Sequence, residues 1–185
     1  MKIIARTAKE LLDTIRLQEQ ANKEDYVIGN PEATVTMIEY SSHFCSYCID
    51  FHNETLPLLM EKYIKTGQVK LISRFISPVE VGLAIFCAQE EEKFSELSDY
   101  IFEHIQELEK AENLRIMAQA INLNQENFDQ CFNDKRYEDR VNEWFDQATQ
   151  SGVDGTPTFF INSQKIVGNQ PLNVFEEAIE KALNE

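Results

Sequence analysis

The spacing of apolar and polar positions divides the chain into four stretches. In residues 1–25, Ile4, Ala8, Leu11 and Ile15 recur at helical intervals with Leu12 beside them, in an otherwise polar segment. The run is shorter than the roughly three to four heptads of a coiled coil. It is therefore read either as a helix lying against a domain or as an oligomerisation arm. Residues 22–30 read as a linker. Thr34–Tyr40 is a β-branched, apolar run that predicts a strand, and Cys45–Lys65 carries a helical pattern. Pro57 lacks an N–H and crowds the preceding turn, which predicts a kink there. Gly67 ends the helix and Val69–Ile76 is a second strand. Residues 34–76 thus form a βαβ unit, for which a right-handed parallel crossover is expected, closed by Ser77-Pro78.

From Val79 to Ser151 no strand pattern appears. Leu83, Phe86, Cys87 and Glu90 lie on one helical face, and Phe94, Leu97, Ile101, Ile105 and Leu108 on another. Leu114, Met117, Ala118 and Ile121 follow, then Phe128, Cys131 and Phe132, then Val141, Trp144, Phe145 and Ala148. The chain ends with a strand at Thr158–Ile161, a turn at Asn162-Ser163, a strand at Lys165–Val167 and a helix over Leu172–Leu183. A helical segment is thus inserted between a βαβ half and a ββα half.

The length of 185 residues suits one domain with a full core. A net charge of −15 argues against nucleic acid or an anionic membrane surface as partner. The acids are dispersed, as in Glu90-Glu91-Glu92, and read as solvated helix faces. No run approaches the roughly 18 apolar residues of a membrane span. Arg6, Lys9 and Glu10 interrupt any apolar core of a signal peptide. The chain is expected to be either cytoplasmic or the mature part of an exported protein.

The chemistry is concentrated where the first strand ends. Ser41-Ser42-His43-Phe44 leads into Cys45-Ser46-Tyr47-Cys48, which opens the helical pattern. Unpartnered N–H groups and the helix dipole favour a thiolate at Cys45. Cys48 lies one turn on, within reach of a small disulfide ring. A Cys-x-x-Cys pair also serves zinc, but there is no second such pair, and His43 and His52 would join only if the helix were distorted. No metal site is expected. Glu39, six residues before Cys45, sits in an apolar strand, where a carboxylate is costly without a partner or a task.

Far along the chain, Gly152-Val153-Asp154-Gly155-Thr156-Pro157 turns into the strand Thr158-Phe159-Phe160-Ile161. With Gly29-Asn30-Pro31, Phe44-Cys45-Ser46-Tyr47-Cys48 and Phe51-His52, this loop resembles the thioredoxin superfamily, and within it the DsbA-like thiol–disulfide oxidoreductases. The resemblance runs from about Tyr26 to the C-terminus. It implies a thioredoxin-like α/β fold made of residues 26–77 and 152–185, with a helical insertion domain over 78–151. It implies Cys45 as nucleophile, Cys48 as resolving thiol, and Glu39 as an acid beneath the disulfide that exchanges protons with Cys48. Thr156-Pro157 would be a cis-proline loop facing the cysteines and receiving an extended substrate. Ser46 and Tyr47 stand where the best-known members have Pro-His, and His43 is the candidate to supply part of the missing positive charge beside the substrate. A second acid of some relatives is replaced by His52, to which no role is assigned. Thr156 is found in isomerase-like relatives, whereas strong oxidases often carry Val.

Cys87 and Cys131 are either two buried thiols or a structural disulfide, and exported relatives sometimes carry a bridge here. Such a bridge favours an oxidising, periplasm-like location with the signal peptide absent from this chain. The dithiol is itself the redox centre, so no cofactor is implied. The expected partners are reduced or misfolded proteins and a membrane redox partner. The alternatives are a disulfide isomerase or reductase, kept reduced and oligomeric through residues 1–25, and a non-catalytic binding module.

Overall fold

The β-branched run that leads to the cysteines is the middle strand of the sheet. In a computed structural model that describes residues 25–185, five strands form: β1 (Val27–Ile28), β2 (Val35–Ser41), β3 (Val69–Phe75), β4 (Thr158–Ile161) and β5 (Gln164–Val167), in the order β1-β3-β2-β4-β5. β2 and β3 are parallel, and the other pairs are antiparallel. Every residue of β2, β3 and β4 is buried, as near-continuous apolar runs covered on both faces should be. The proposed N-terminal helix or arm lies outside the described residues, apart from Asp25. The reading of 22–30 as a linker misses β1, whose two residues are too few to show a period.

Helix α1 covers residues 46–64 and alternates α turns, Ser46–Asp50 and Leu56–Leu59, with wider π turns, Phe51–Thr55 and Met60–Ile64. The disturbance predicted at Pro57 takes the form of the wide turn directly before it, because the missing N–H breaks the regular ladder. Gly67, at φ 79°, ends the helix: its N–H donates to Ile64 O and Gln68 N–H donates to Tyr63 O, which satisfies two orphan carbonyls. α1 and the last helix, α7 (Leu172–Leu183), pack on one face of the sheet through Phe51, Leu59, Phe175 and Ile179 against Met37, Leu71 and Phe159.

The insertion supplies α2 (Val79–Gln89), α3 (Phe94–Glu103), a 3₁₀ turn at Ile105–Glu107, α4 (Asn113–Ala120), α5 (Gln125–Asn133) and α6 (Glu138–Gln150). Their buried faces meet in a core that includes Phe86, Phe94, Leu114, Phe128 and Trp144 and reaches Cys48 and Phe75 at the sheet. Phe145 differs from expectation: Val141, Trp144 and Ala148 take the buried stripe and leave its ring 53% exposed. Gly82 permits close packing, since a Cβ there would stand 2.9 Å from both Phe75 O and Val141 Cγ1. Cys87 of α2 and Cys131 of α5 are joined by a disulfide, with Cα atoms 5.8 Å apart.

A buried ion cluster ties the insertion to the sheet. Arg74 on β3 and Asp25 are both fully buried. Asp25 Oδ2 accepts from Arg74 Nη2 at 2.6 Å and Nε at 3.2 Å, and Oδ1 accepts from Trp144 Nε1 at 2.7 Å and Arg140 Nη2 at 3.0 Å. Arg74 Nη1 donates to Tyr40 Oη at 2.6 Å. The polar atoms satisfy one another, as burial requires.

Candidate active site

β2 ends at Ser41, and Cys45, in extended conformation, is the N-cap of α1. Its carbonyl accepts from Cys48 and Ile49 N–H, so the side chain stands at the helix start. The sulfur is partly exposed and, as a thiol, donates to Thr156 O at 3.2 Å. Burial opposes its ionisation. The Thr156 side chain, the Cys48 thiol and the N–H groups of Cys48 and Tyr47 outweigh that and hold the Cys45 thiol below its ordinary range. Cys48 is fully buried. Burial, reinforced by Cys45 and the charge of Glu39, pushes it up to about 12 against hydrogen bonds from Ser41 and the Ser42 backbone. The two sulfurs are therefore opposite in character: one meets solvent and ionises readily, the other does neither.

The peptide bond between Thr156 and Pro157 is cis. Thr158 Oγ1 donates to Gly155 O, and Gly168 N–H donates to Pro157 O, which fixes the loop over Cys45. Phe44 and Tyr47 flank the cysteine at 53% and 63% exposure. Phe44 also borders a groove of about 250 Å³ with Pro78, Val81, Leu108 and Leu114.

Glu39 lies on the middle strand, in register with Ser73 on β3 and Phe159 on β4, and is fully buried. Its Oε2 accepts from Ser73 Oγ at 3.2 Å, and its Oε1 accepts from His52 Nε2 at 3.0 Å. His52, four residues past Cys48 on α1, lines a pocket of about 380 Å³ between α1 and α3, with Ser73, Ser98, Asp99 and Phe102. Burial raises the pKa of Asp99 there, against the opposing effect of His52 and with Glu103 adding to it.

His43 requires a correction. It is neither exposed nor a source of charge: its ring is fully buried, Nε2 lies 3.1 Å from Ser98 Oγ, and the ring stacks on Phe102 with centroids 4.0 Å apart. Burial, with His52 on the far side of Phe102, holds it well below its ordinary range, so it is neutral at physiological pH and cannot reach a substrate. The insertion supplies this aromatic cover, which local sequence does not show. Residues 39, 45, 48, 156 and 157 are brought together, while Cys87 and Cys131 belong to the insertion core. The sequence reading missed His52, Ser41 and Ser73 as neighbours of the acid and the buried thiol. The spacing of four from Cys48 pointed to His52; the cross-strand register that delivers Ser73 had no such signal.

A partly exposed cysteine capping a helix, a buried partner one turn on and a cis-proline loop across from them form the arrangement of a thiol–disulfide site. This chain belongs to the thioredoxin family: the family model described as Thioredoxin matches residues 21–181, and the fold is DsbA-like. It is 28% identical to Wolbachia pipientis α-DsbA1, whose crystal structure superposes with a TM-score of 0.77 over 88% of this chain and 92% of that one. The oxidised BdbD of Bacillus subtilis, 20% identical, shares the fold with a TM-score of 0.77 over 87% of this chain and 94% of that one. Among curated relatives, a Rickettsia conorii protein named "Putative protein-disulfide oxidoreductase" is 27% identical over 94% of this chain and 66% of its own length. The Na(+)/H(+) antiporter NhaA 3 of Salinispora tropica is 30% identical over 85% of this chain and 24% of its own length. The chain thus spans a quarter to two thirds of these relatives.

Proposed function

We propose that this protein is a protein thiol–disulfide oxidoreductase that passes a Cys45–Cys48 disulfide to folding protein substrates. The opposite character of the two sulfurs carries the reading. A substrate thiolate attacks Cys45 Sγ; the Cys45–Cys48 bond breaks, and Cys48 keeps the electron pair and takes a proton. A second substrate thiolate then attacks the substrate sulfur of the mixed disulfide and expels Cys45 as a thiolate. The substrate loses two electrons and the enzyme gains them. A good leaving thiol is an acidic one, which suits Cys45 to the second step. Glu39 supplies the proton that Cys48 needs in the first.

The Thr156-Pro157 loop and exposed Phe44 and Tyr47 receive an extended, unfolded segment, so reduced or misfolded proteins are the substrate class. A membrane redox partner that withdraws the two electrons returns the pair to the disulfide. The Cys87–Cys131 bond fits an oxidising compartment, periplasmic or otherwise exported, where disulfides persist. The alternative, an isomerase kept reduced, draws on Thr156 and on an oligomer through residues 1–25. The test is to mix the oxidised protein with a reduced, unfolded protein bearing two thiols. Stoichiometric disulfide formation is expected, abolished in Cys45→Ser; disulfide formation at the buffer's own rate would refute the activity.

A further inference from the structure

Cys48 must gain a proton each time the Cys45–Cys48 disulfide opens, and lose one each time it re-forms, yet no solvent reaches it. Glu39, the acid assigned to that exchange, is equally sealed. A proton handed from Glu39 to Cys48 has to be replaced, and the replacement has to come through whatever touches the carboxylate. Among the described residues, two side chains hydrogen-bond to it. Ser73 Oγ donates to Oε2, and His52 Nε2 donates to Oε1 at 3.0 Å. Of the two, only the imidazole both touches the carboxylate and borders the pocket as a general acid–base side chain.

His52 also stands at the boundary. Its side chain is 7% exposed and borders the pocket of about 380 Å³, while Glu39 behind it is closed off. Phe102, stacked on the ring at 4.0 Å, fixes its orientation. The titratable groups that face it are Glu39 from β2, Asp99 and Glu103 from α3, and His43 across Phe102. The acids border the pocket on its outer side, where a proton leaving solvent would first be held.

We propose that His52 relays protons between this pocket and Glu39, and so governs how fast Cys48 can leave or attack. The proposal rests on the oxidoreductase reading and adds to it a route from solvent to the buried sulfur. His52 acts through Glu39 and never meets substrate, so it is a positioning residue for the proton. In the opening direction the imidazolium gives its proton to Glu39 as Glu39 gives one to Cys48, and the neutral ring is reprotonated from water in the pocket. In the closing direction every transfer reverses. No electron passes through the relay, which leaves the two-electron exchange between sulfurs unchanged.

The test follows the opening of the oxidised pair by a small dithiol at fixed thiolate concentration, from about pH 5 to about pH 8, the range over which histidine titrates. His52→Ala is expected to slow opening about a hundredfold at neutral pH, the lower end of what a general acid contributes. It should also flatten the pH profile. Added imidazole, small enough for the vacated pocket, should restore the rate in proportion to its concentration. His52→Gln keeps a donor to Glu39 but carries no proton, so it should stay slow, and it covers the case in which the alanine variant folds poorly. Alkylation of reduced Cys45 should be unchanged in both variants, which shows the rest of the site intact. Opening at the wild-type rate in His52→Gln, or a slow His52→Ala that imidazole leaves slow, overturns the relay while the oxidoreductase reading stands. A wild-type disulfide that does not exchange with thiols at all overturns both.

Discussion

Breaking the Cys87–Cys131 bond should cost stability and leave the redox chemistry in place. Replacing both residues with Ala removes a cross-link between positions 44 residues apart. On the chain-entropy model a loop of that size restrains the unfolded chain by about 4 kcal/mol. Both sulfurs are buried, so lost packing adds to the effect rather than offsetting it. For a chain of this length a loss of about 4 kcal/mol lowers the Tm by about 8–16 °C. Urea titrations of oxidised wild type and of the double variant, followed by circular dichroism, measure the difference. The slope against denaturant should steepen in the variant, because its unfolded chain exposes more surface once it is no longer tethered. Exchange at Cys45–Cys48 should continue at the wild-type rate. A stability within about 1 kcal/mol of wild type, with an unchanged slope, would show that the bond does not restrain the unfolded state as argued.

Brief alkylation of the reduced protein at mildly acidic pH should label Cys45 and spare Cys48, since only Cys45 is both reachable and held below its ordinary range; peptide mass mapping that finds Cys48 labelled first reverses the assignment. The stability of the reduced protein relative to the oxidised one should rise with pH towards about 9, because Cys45 ionises earlier folded than unfolded. It should then fall towards about 12, because Cys48 keeps its proton in the fold after the unfolded chain has lost it; a difference that stays flat across both windows contradicts the two shifts. Glu39→Gln should slow opening of the disulfide by about a hundredfold while the protein stays folded, and unchanged kinetics would leave the acid without a part in proton transfer. Asp25→Asn should cost about 3–5 kcal/mol in chemical unfolding, because Arg74 is left buried without its counter-charge; a loss under about 1 kcal/mol would mean that water or a rearranged side chain replaces it.

The parts legible in the sequence are those that repeat with a period or carry unusual residues. β2, α1 and β3 follow from a β-branched run, a helical face and a second run bounded by Gly67. The cis-proline loop and the role of Glu39 came from resemblance, since neither periodicity nor spacing specifies them. β1 was lost because its two residues gain their place only by pairing with β3. His43 was misread because its cover, Phe75 and Phe102, comes from elements 32 and 59 positions downstream. Ser73 meets Glu39 through register, which the long helical crossover between β2 and β3 leaves unstated. Asp25 lies within the stretch read as a linker, and only the three-dimensional meeting of Arg74, Arg140 and Trp144 gives it weight.

That carboxylate bears on how the molecule can come apart. Asp25 is held from the sheet by Arg74 and from the last insertion helix by Arg140 and Trp144, so neither side can withdraw without baring a charge in a dry interior. Opening α6 alone should then carry an added cost of about 3–5 kcal/mol, and the insertion and the sheet are expected to open together in hydrogen exchange. The same insertion core closes over Cys48. Exposure of the buried Cys48 sulfur to stray oxidants should therefore be set by how often the two parts separate, and so by an acid that lies outside the dithiol site.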